Sequence, residues 1–302
     1  MKPPEGLRGL VAAIGASLAA LSLALSPVAT RDATAQVDAP ALWRVDGPKG
    51  RVFLFGSFHL LPVDVKWRTA AVESALKEAA VVIFETDFAD LQASRALLAR
   101  YGRLPPGQTL HSVLPRSIHT ELEKTAVDLG VPPPSLEPLR PWLAALTLGM
   151  QLIVSQGFDP NHGVEQQVLS WAKANGKSLG MLETNESQLR VFADLTREEE
   201  TALLAVSLRQ VREMPKILEE MLTAYRKADL ATLERTLNIG LEDFPMLRKR
   251  LLKDRHDKWL PQIEKMIADG RSHMIIVGDA HLVGPDSVIA MLRAKGVKVE
   301  GP

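Results

Sequence analysis

The chain has 302 residues, of which 46% are hydrophobic and 24% are charged, a composition typical of a folded protein with a sizeable core. Lysine and arginine together number 36, as do aspartate and glutamate, so bulk charge favours neither nucleic acid nor anionic lipid as a partner. The chain contains no cysteine. Disulfides are therefore excluded, and a transition-metal site would have to use histidine and carboxylate ligands.

The N-terminus has the features of a secretion signal. Lys2 and Arg8 precede an uncharged stretch rich in alanine and leucine, residues 10–26, and an Ala-Thr-Ala sequence then offers small residues to a signal peptidase. The apolar stretch is near the lower length limit for a membrane span, so a retained membrane anchor is the alternative. We predict a signal peptide over residues 1–35 and an exported domain, periplasmic or extracellular, over residues 36–302. A membrane-proximal location stays open.

The first half of the domain predicts strands that alternate with a helix. Residues 41–59 are typical of a β-hairpin with a Gly-Pro-Lys-Gly turn. An amphipathic helix over residues 67–80 follows, and then a continuous apolar run, residues 81–84, that ends at an acidic residue. Continuous apolar strands are buried on both faces, which favours a parallel sheet between helices.

The second half is mainly helical in pattern. Residues 139–157 form a strongly apolar helix, which we predict to be a buried core helix and not a membrane span. A short strand over residues 178–182 precedes a predicted helical insertion at about residues 188–266, where Thr196 and Asp229 have the character of N-caps. A strand, a helix and a last short strand complete the chain. The sequence therefore predicts an α/β fold with a mixed, mostly parallel sheet flanked by helices.

Two strands are followed by the same short motif, Gly-x-x-His, at Gly56–His59 and Gly278–His281. Glycine allows a tight turn directly after a strand, because it has no Cβ atom. The carboxyl ends of parallel strands meet at one edge of a sheet, so we expect both histidines near one point. A single histidine after a strand is more often a structural residue than a ligand. The repetition of the motif favours a common site.

Carboxylates also follow strands, at Glu85 and Glu183. Two imidazoles and one carboxylate can hold a divalent metal with an open position for water, and that bound water can become a nucleophile near neutral pH. We therefore predict a metal site made of His59, Glu85 and His281, with Zn, Mn, Fe or Co as the ion. Glu183 is predicted to be a general base or a partner of the ligands, with a solvated strand-end carboxylate as the alternative.

Four blocks of sequence resemble the TraB/GumN family. They are "LWRVDGPKGRVFLFGSFHLLP", "ALKEAAVVIFETD", "GVEQQVLSWAKANGKSLGMLETNESQL" and "IIVGDAHLVGPDSVIAMLRAKGVKV", in this order over residues 42–299. That family is similar to the Tiki membrane-associated metalloproteases, and more distantly to the erythromycin-esterase and ChaN-like folds. The resemblance implies a metal-dependent peptidase or related hydrolase, with His59 and His281 as the motif histidines and Glu85 as the acidic residue.

One part of the sequence departs from the family pattern. A late Arg-Asn pair is replaced here by Arg255-His256, and we predict that Arg255 holds a substrate carboxylate or polarises a carbonyl group. His162, beside Glu165 at the start of a helix, is interpreted as a loop or capping residue, with a metal ligand as the alternative. The other histidines, for which spacing gives no argument, are expected at the surface: His111, His119, His256 and His273.

Taken together, these patterns predict an exported metal-dependent hydrolase, peptidase-like, that acts on a peptide or small-molecule substrate. Its predicted catalytic residues are His59, Glu85, Glu183, Arg255 and His281. The alternative is a non-catalytic periplasmic protein of the same fold that binds iron or haem or has a regulatory role. Serine catalysis and nucleotide binding are disfavoured, because the sequence has no Gly-x-Ser-x-Gly, phosphate loop or dinucleotide fingerprint.

Overall fold

The computed structural model describes residues 39–241 and 243–302, so the predicted signal peptide lies outside the described residues. At the centre is a five-stranded sheet in the order β1-β2-β5-β3-β4. Its strands are β1 (Leu42–Asp46), β2 (Arg51–Ser57), β3 (Val81–Phe84), β4 (Ser178–Met181) and β5 (His273–Gly278). β1 is antiparallel to β2, and the other three pairings are parallel. The predicted mixed, mostly parallel sheet is confirmed.

The register brings the carboxyl ends of the parallel strands to one edge of the sheet. Ser57 at the end of β2 pairs with Gly278 at the end of β5. Phe84 at the end of β3 pairs with both Ile276 and Met181. The central strands β3 and β5 are buried along their whole length, which is why their sequences are continuous apolar runs. Residues that follow these strands therefore emerge from the core side by side.

The predicted hairpin and the predicted last strand differ in outcome. β1 and β2 form the hairpin, closed by a hydrogen bond from the Gly47 amide to the Gly50 carbonyl at 2.8 Å. The prediction of a last short strand is wrong, because this segment forms only one isolated antiparallel bridge, between Arg44 and Glu300. Gly301 then takes a positive φ of 124°, which lies outside the β region, so the extended backbone does not continue past the bridge.

Helices cover both faces of the sheet region. The α-helices in the described part of the chain are α1 (Ala70–Glu78), α2 (Leu91–Tyr101), α3 (Leu110–Val113), α4 (Arg116–Asp128), α5 (Pro133–Leu136), α6 (Pro141–Ser155), α7 (Val164–Ala174), α8 (Asn185–Ala193), α9 (Arg197–Gln210), α10 (Met214–Arg226), α11 (Leu230–Asn238), α12 (Pro245–Leu251), α13 (Lys253–Ala268) and α14 (Val288–Ala294). The helix predicted at residues 139–157 is α6, most of which is buried. Across the residues with described structure, no helix is both long enough and apolar enough to cross a membrane.

Both predicted N-caps are present. Thr196 and Glu199 form a capping box, in which the Thr196 amide donates to Glu199 Oε2 at 2.8 Å and the Glu199 amide donates to Thr196 Oγ1 at 3.2 Å. The Asp229 carboxylate accepts from the Thr232 amide at 3.1 Å at the start of α11. These side chains satisfy backbone N–H groups that a helix start leaves without partners.

The helical segment at residues 188–266 shares the main core with the sheet. Its apolar side chains Met214, Tyr225 and Trp259 are buried in the same cluster as the strand residues Phe55 and Ile276. Arg255 near the start of helix α13 donates to Glu85 directly after β3, so this helix begins at the carboxyl edge of the sheet. This path brings polar residues from the start of α13 to the strand ends.

Candidate active site

The two Gly-x-x-His motifs contact each other. Gly56 lies against Asp279 of the second motif, and a Cβ atom at position 56 would overlap Oδ1 of Asp279. The Gly56 carbonyl accepts a hydrogen bond from the hydroxyl of Tyr225 at 3.3 Å. After β5 the chain forms a short 3-10 turn, Asp279–His281, which carries the second histidine. Glycine at position 56 therefore allows the two motifs to pack together.

His59 is held by a carboxylate from helix α7. Its Nδ1 atom lies 2.7 Å from Oε1 of Glu165, and the two side chains are only 1% and 4% exposed. The same Oε1 accepts a hydrogen bond from the hydroxyl of Ser57. Nδ1 of His59 and this oxygen are not aligned as in a hydrogen bond, and the Glu165 carboxylate acts on the ring through its charge. Nε2 of His59 is buried and has no hydrogen-bond partner among the described residues.

Opposing effects set the charge of His59. Burial lowers the pKa of the imidazole, but the carboxylate of Glu165, helped by that of Glu85, raises the pKa above its ordinary value. The guanidinium of Arg255 acts in the opposite direction. The charge of His59 in turn affects the pKa values of Glu85 and His281, so the two motif histidines are within electrostatic reach of one another.

Glu85 is an ionised carboxylate in a dry environment. Its Oε1 accepts from the Gly278 amide at 2.7 Å, and its Oε2 accepts from Gln188 at 3.0 Å and from Arg255 Nη2 at 2.5 Å. Burial raises the pKa of Glu85, but Arg255, His59 and the Gly278 amide together lower it below its ordinary value. The carboxylate thus joins the ends of β3 and β5 to helix α13.

Arg255 is the centre of the cluster. Its Nε and Nη2 atoms donate to Oε1 of Glu183 at 2.8 and 2.5 Å, and Nη1 donates to the Leu251 carbonyl at 3.1 Å. The guanidinium carbon lies 4.6 Å from the centre of the Trp259 ring. Burial lowers the pKa of Arg255, but Glu85 and Glu183 outweigh it and keep the group charged. Burial raises the pKa of Glu183 in spite of this guanidinium. Arg255 is therefore a fixed positive charge.

His281 is part of a chain of hydrogen bonds with a defined direction. Its Nε2 lies 3.0 Å from Nη1 of Arg255, and its Nδ1 lies 2.7 Å from Nε2 of His256. Arginine only donates, so Nε2 of His281 accepts and Nδ1–H donates to His256. His256 Nδ1–H then donates to the Asp286 carbonyl at 2.7 Å. Burial lowers the pKa of His256 to about 4, and burial, Arg255 and His256 hold that of His281 well below its ordinary value. Both rings are neutral.

Asp279 is a buried carboxyl group that sequence reasoning did not single out, although it lies inside the second motif. It is 2% exposed, and its Oδ2 has no hydrogen-bond partner in the part of the chain that the structure describes. Burial, and then the charge of Glu165, raises the pKa of Asp279 well above its ordinary value. Asp279 therefore favours its uncharged, protonated form more than an exposed aspartate does.

The structure thus divides the predicted catalytic residues into two groups. Glu85, Glu183, Arg255 and His281 form one hydrogen-bonded cluster, which we call the arginine cluster. His59 lies beside it and pairs with Glu165, a residue that sequence reasoning passed over because the contact joins distant parts of the chain.

Several expectations for the other histidines are wrong. His256 is 1% exposed because it supports His281, and His273 is 1% exposed because it begins the buried strand β5. His119 is also buried, with Nε2 at 2.6 Å from Glu137 Oε1. His162 lies in a 3-10 turn, where its half-exposed ring pairs with Asp159, in agreement with a loop role.

The predicted metal ligands are His59, Glu85 and His281. In residues 39–241 and 243–302, no group of three or more histidine and carboxylate side chains is arranged to hold a metal ion. Only His59 has a nitrogen without a partner, whereas both oxygens of Glu85 and both nitrogens of His281 are already engaged by protein groups. In this arrangement the three residues do not fit a resident metal. The metal site stays a prediction.

An open cleft of about 530 Å³ lies next to the arginine cluster. Glu183 lines this cleft and also contacts Arg255, so the cleft reaches the cluster through Glu183. Its other walls combine apolar side chains with carboxylates, among them Met181, Leu97 and Asp87. The cleft is suited to ligands with both apolar and cationic groups.

Comparisons with known proteins establish the family of the chain. The sequence profile of the TraB/PrgY/gumN family matches residues 41–301. The chain is 25% identical over 253 residues to the "Uncharacterized protein YbaP" of Escherichia coli strain K12, and the aligned residues cover 82% of this chain and 89% of that protein. It is also 25% identical over 246 residues to the protein of the same name from Shigella flexneri, with 80% and 87% covered. No solved structure matches. The match includes both motifs and the whole arginine cluster, and the chain belongs to the TraB/PrgY/gumN family.

Proposed function

We propose that the chain is an exported hydrolase that cleaves an amide or ester bond with a water molecule activated by His59. The observation that carries this proposal is the buried Nε2 atom of His59, which has no hydrogen-bond partner among the described residues. A buried polar atom without a partner costs on the order of 1–3 kcal/mol, so it needs an explanation such as a ligand or a water. Its position at the carboxyl edge of a parallel sheet supports a role in the reaction.

Glu165 is suited to prepare His59 for proton transfer. Its carboxylate faces Nδ1 at 2.7 Å, which favours the tautomer with a proton on Nδ1 and leaves the lone pair on Nε2. Nε2 then takes a proton from water while the water oxygen attacks the carbonyl carbon. The imidazolium returns this proton to the leaving nitrogen or oxygen as the bond breaks, giving a carboxylic acid and an amine or alcohol. Glu165 stabilises the imidazolium between these two steps.

Arg255 is proposed to position the other groups. The bonds to Glu85, Glu183, His281 and the Leu251 carbonyl use all five of its N–H groups. Its fixed charge favours the negative charge that develops on the attacked carbonyl oxygen. Direct donation to that oxygen, or to a substrate carboxylate, requires Glu183 to move toward the cleft. Glu183 therefore controls access to Arg255 in this proposal.

The substrate class and the location of the protein are further parts of the proposal. The cleft beside Glu183 favours a peptide or small molecule with apolar and cationic groups, because both carboxylates and apolar side chains line it, namely Asp87, Asp90, Leu97 and Met181. No step of this reaction uses the metal predicted from the sequence on His59, Glu85 and His281, because the steps above need only side chains of this chain. Export rests on residues 1–35.

The test is hydrolysis of a probe panel by the purified chain. Fluorescein-labelled casein, lysyl and alanyl p-nitroanilides and p-nitrophenyl acetate cover peptide, basic and ester substrates. We expect turnover of at least one probe and a fall in kcat of about 100-fold or more in His59→Gln. His162→Gln, which changes a half-exposed histidine, is the control and should match the wild type. Equal kcat in His59→Gln and wild type would contradict the proposal, and haem binding without hydrolysis would favour the non-catalytic alternative.

A further inference from the structure

Three side-chain acceptors converge on the guanidinium of Arg255. Oε2 of Glu85 and Oε1 of Glu183 each lie 2.5 Å from Nη2, and Nε2 of His281 lies 3.0 Å from Nη1. The side chains of all three are at most 10% exposed. Two carboxylates and a neutral imidazole are a donor set that transition metals favour. The cation that these donors surround here is part of the chain.

We infer that Arg255 is the resident cation of the arginine cluster, and that it occupies the position where Glu85 and His281 would otherwise hold a divalent metal. The inference deepens the proposed function, since it concerns the same site. Arg255 is well fixed in this position, because all five of its N–H groups have acceptors and its guanidinium stacks on Trp259. The remaining oxygen of Glu85 is occupied by the Gly278 amide.

A second cation cannot enter without displacing the first. A divalent ion within bonding distance of Glu85 and His281 would lie within a few ångströms of a buried guanidinium, and the two positive charges would repel strongly where water does not screen them. Removal of the guanidinium should therefore allow a divalent ion to bind. Arg255→Met leaves Glu85, Glu183 and His281 pointed at one vacated position, with two carboxylates in need of positive charge.

The experiment is a Co²⁺ titration of the purified chain after dialysis against a chelator. The visible absorption bands of Co²⁺ report coordination by nitrogen and oxygen ligands, and isothermal titration calorimetry gives the number of ions bound. The set comprises wild type, Arg255→Met, Arg255→Lys, His281→Ala and the double variant Arg255→Met with His281→Ala. Circular dichroism checks that each variant is folded.

The expected results are specific to each variant. Wild type and Arg255→Lys should bind no Co²⁺ at this cluster, Arg255→Met should gain one equivalent, and the double variant should lose it. Stoichiometric binding by wild type that His281→Ala abolishes would overturn the inference, as would a folded Arg255→Met that binds nothing. If wild type binds Co²⁺ and His281→Ala binds it equally well, the ion lies outside the arginine cluster, which supports the inference. If Arg255→Met fails to fold, the wild-type titration decides alone. None of these readouts depends on hydrolysis, so failure of the proposed function is a separate result.

Discussion

Replacing Arg255 with methionine should destabilise the fold strongly at neutral pH and much less in acid. Methionine fills similar space but leaves Glu85 and Glu183, whose side chains are 1% and 10% exposed, without their charged partner. Breaking a buried ion pair by removing one partner costs about 3–5 kcal/mol. For a chain of this size that corresponds to a fall in Tm of roughly 6–20 °C.

The pH dependence follows from the carboxylates. In the wild type the pKa of Glu85 is lowered, so Glu85 contributes stability that is present above its unfolded pKa and is lost as pH falls through the folded pKa. In Arg255→Met, burial acts without the guanidinium and raises the pKa of Glu85. The folded variant then binds a proton that the unfolded chain has released, and its stability falls as pH rises above about 4.5. The difference between the two proteins therefore grows from acid to neutral pH.

Urea unfolding followed by circular dichroism at pH 4.5 and pH 7 measures this difference. The chain has no cysteine, so thiol oxidation cannot distort the comparison. The control is Arg271→Met, which breaks an ion pair with Asp269 whose arginine side chain is 62% exposed and which should leave the free energy of unfolding nearly unchanged. A loss below 1 kcal/mol at pH 7 for Arg255→Met, or one that is the same at both pH values, would refute the reasoning about a buried charge cluster.

Three further predictions follow from single features. His256 has a pKa of about 4 in the folded chain against 6.5 unfolded, so the unfolded state binds the extra proton between these values and stability should fall by ~3 kcal/mol as pH drops from 6.5 to 4. Urea unfolding at several pH values measures how the free energy of unfolding depends on pH, and His256→Asn should lack this fall between pH 6.5 and 4. The same pH dependence in His256→Asn and wild type would contradict a neutral, buried ring at position 256. Gly56→Ala introduces a Cβ that overlaps Asp279 and should lower the free energy of unfolding by about 1–3 kcal/mol, whereas a neutral result would mean that the two motifs do not pack tightly. N-terminal sequencing of the protein from the cell envelope should begin near Gln36, and an intact N-terminus would favour the retained anchor.

Local patterns were sufficient to predict the sheet. The run Val81–Phe84 is apolar at every position because both faces of β3 are buried, and this property depends on the fold class and not on particular partners. The edge at which the strands end follows from their parallel direction. The contact between Gly56 and Asp279 shows that the two motifs meet, as their repetition indicated.

The partners at the site could not be predicted in the same way. Helix α13 begins with Lys253, Asp254, Arg255 and His256, a run that is typical of an exposed helix start, yet the last two are buried. Burial of charged residues depends on partners elsewhere in the sequence, here the strand-end carboxylates and His281. Glu165 was missed for the same reason, since its contacts with Ser57 and His59 join a helix start to a strand more than a hundred residues earlier.

The central claim is that His59, held by Glu165, removes the proton from the attacking water. The most direct measurement is the pH profile of kcat/KM for wild type and Glu165→Gln on the best probe substrate. Since only the neutral imidazole accepts a proton, kcat/KM should rise with pH through the pKa of His59. Loss of the Glu165 charge should move this inflection to lower pH and reduce kcat, because the raising effect on the pKa is gone while burial remains. An inflection that stays in place in Glu165→Gln, with kcat unchanged, would contradict the account.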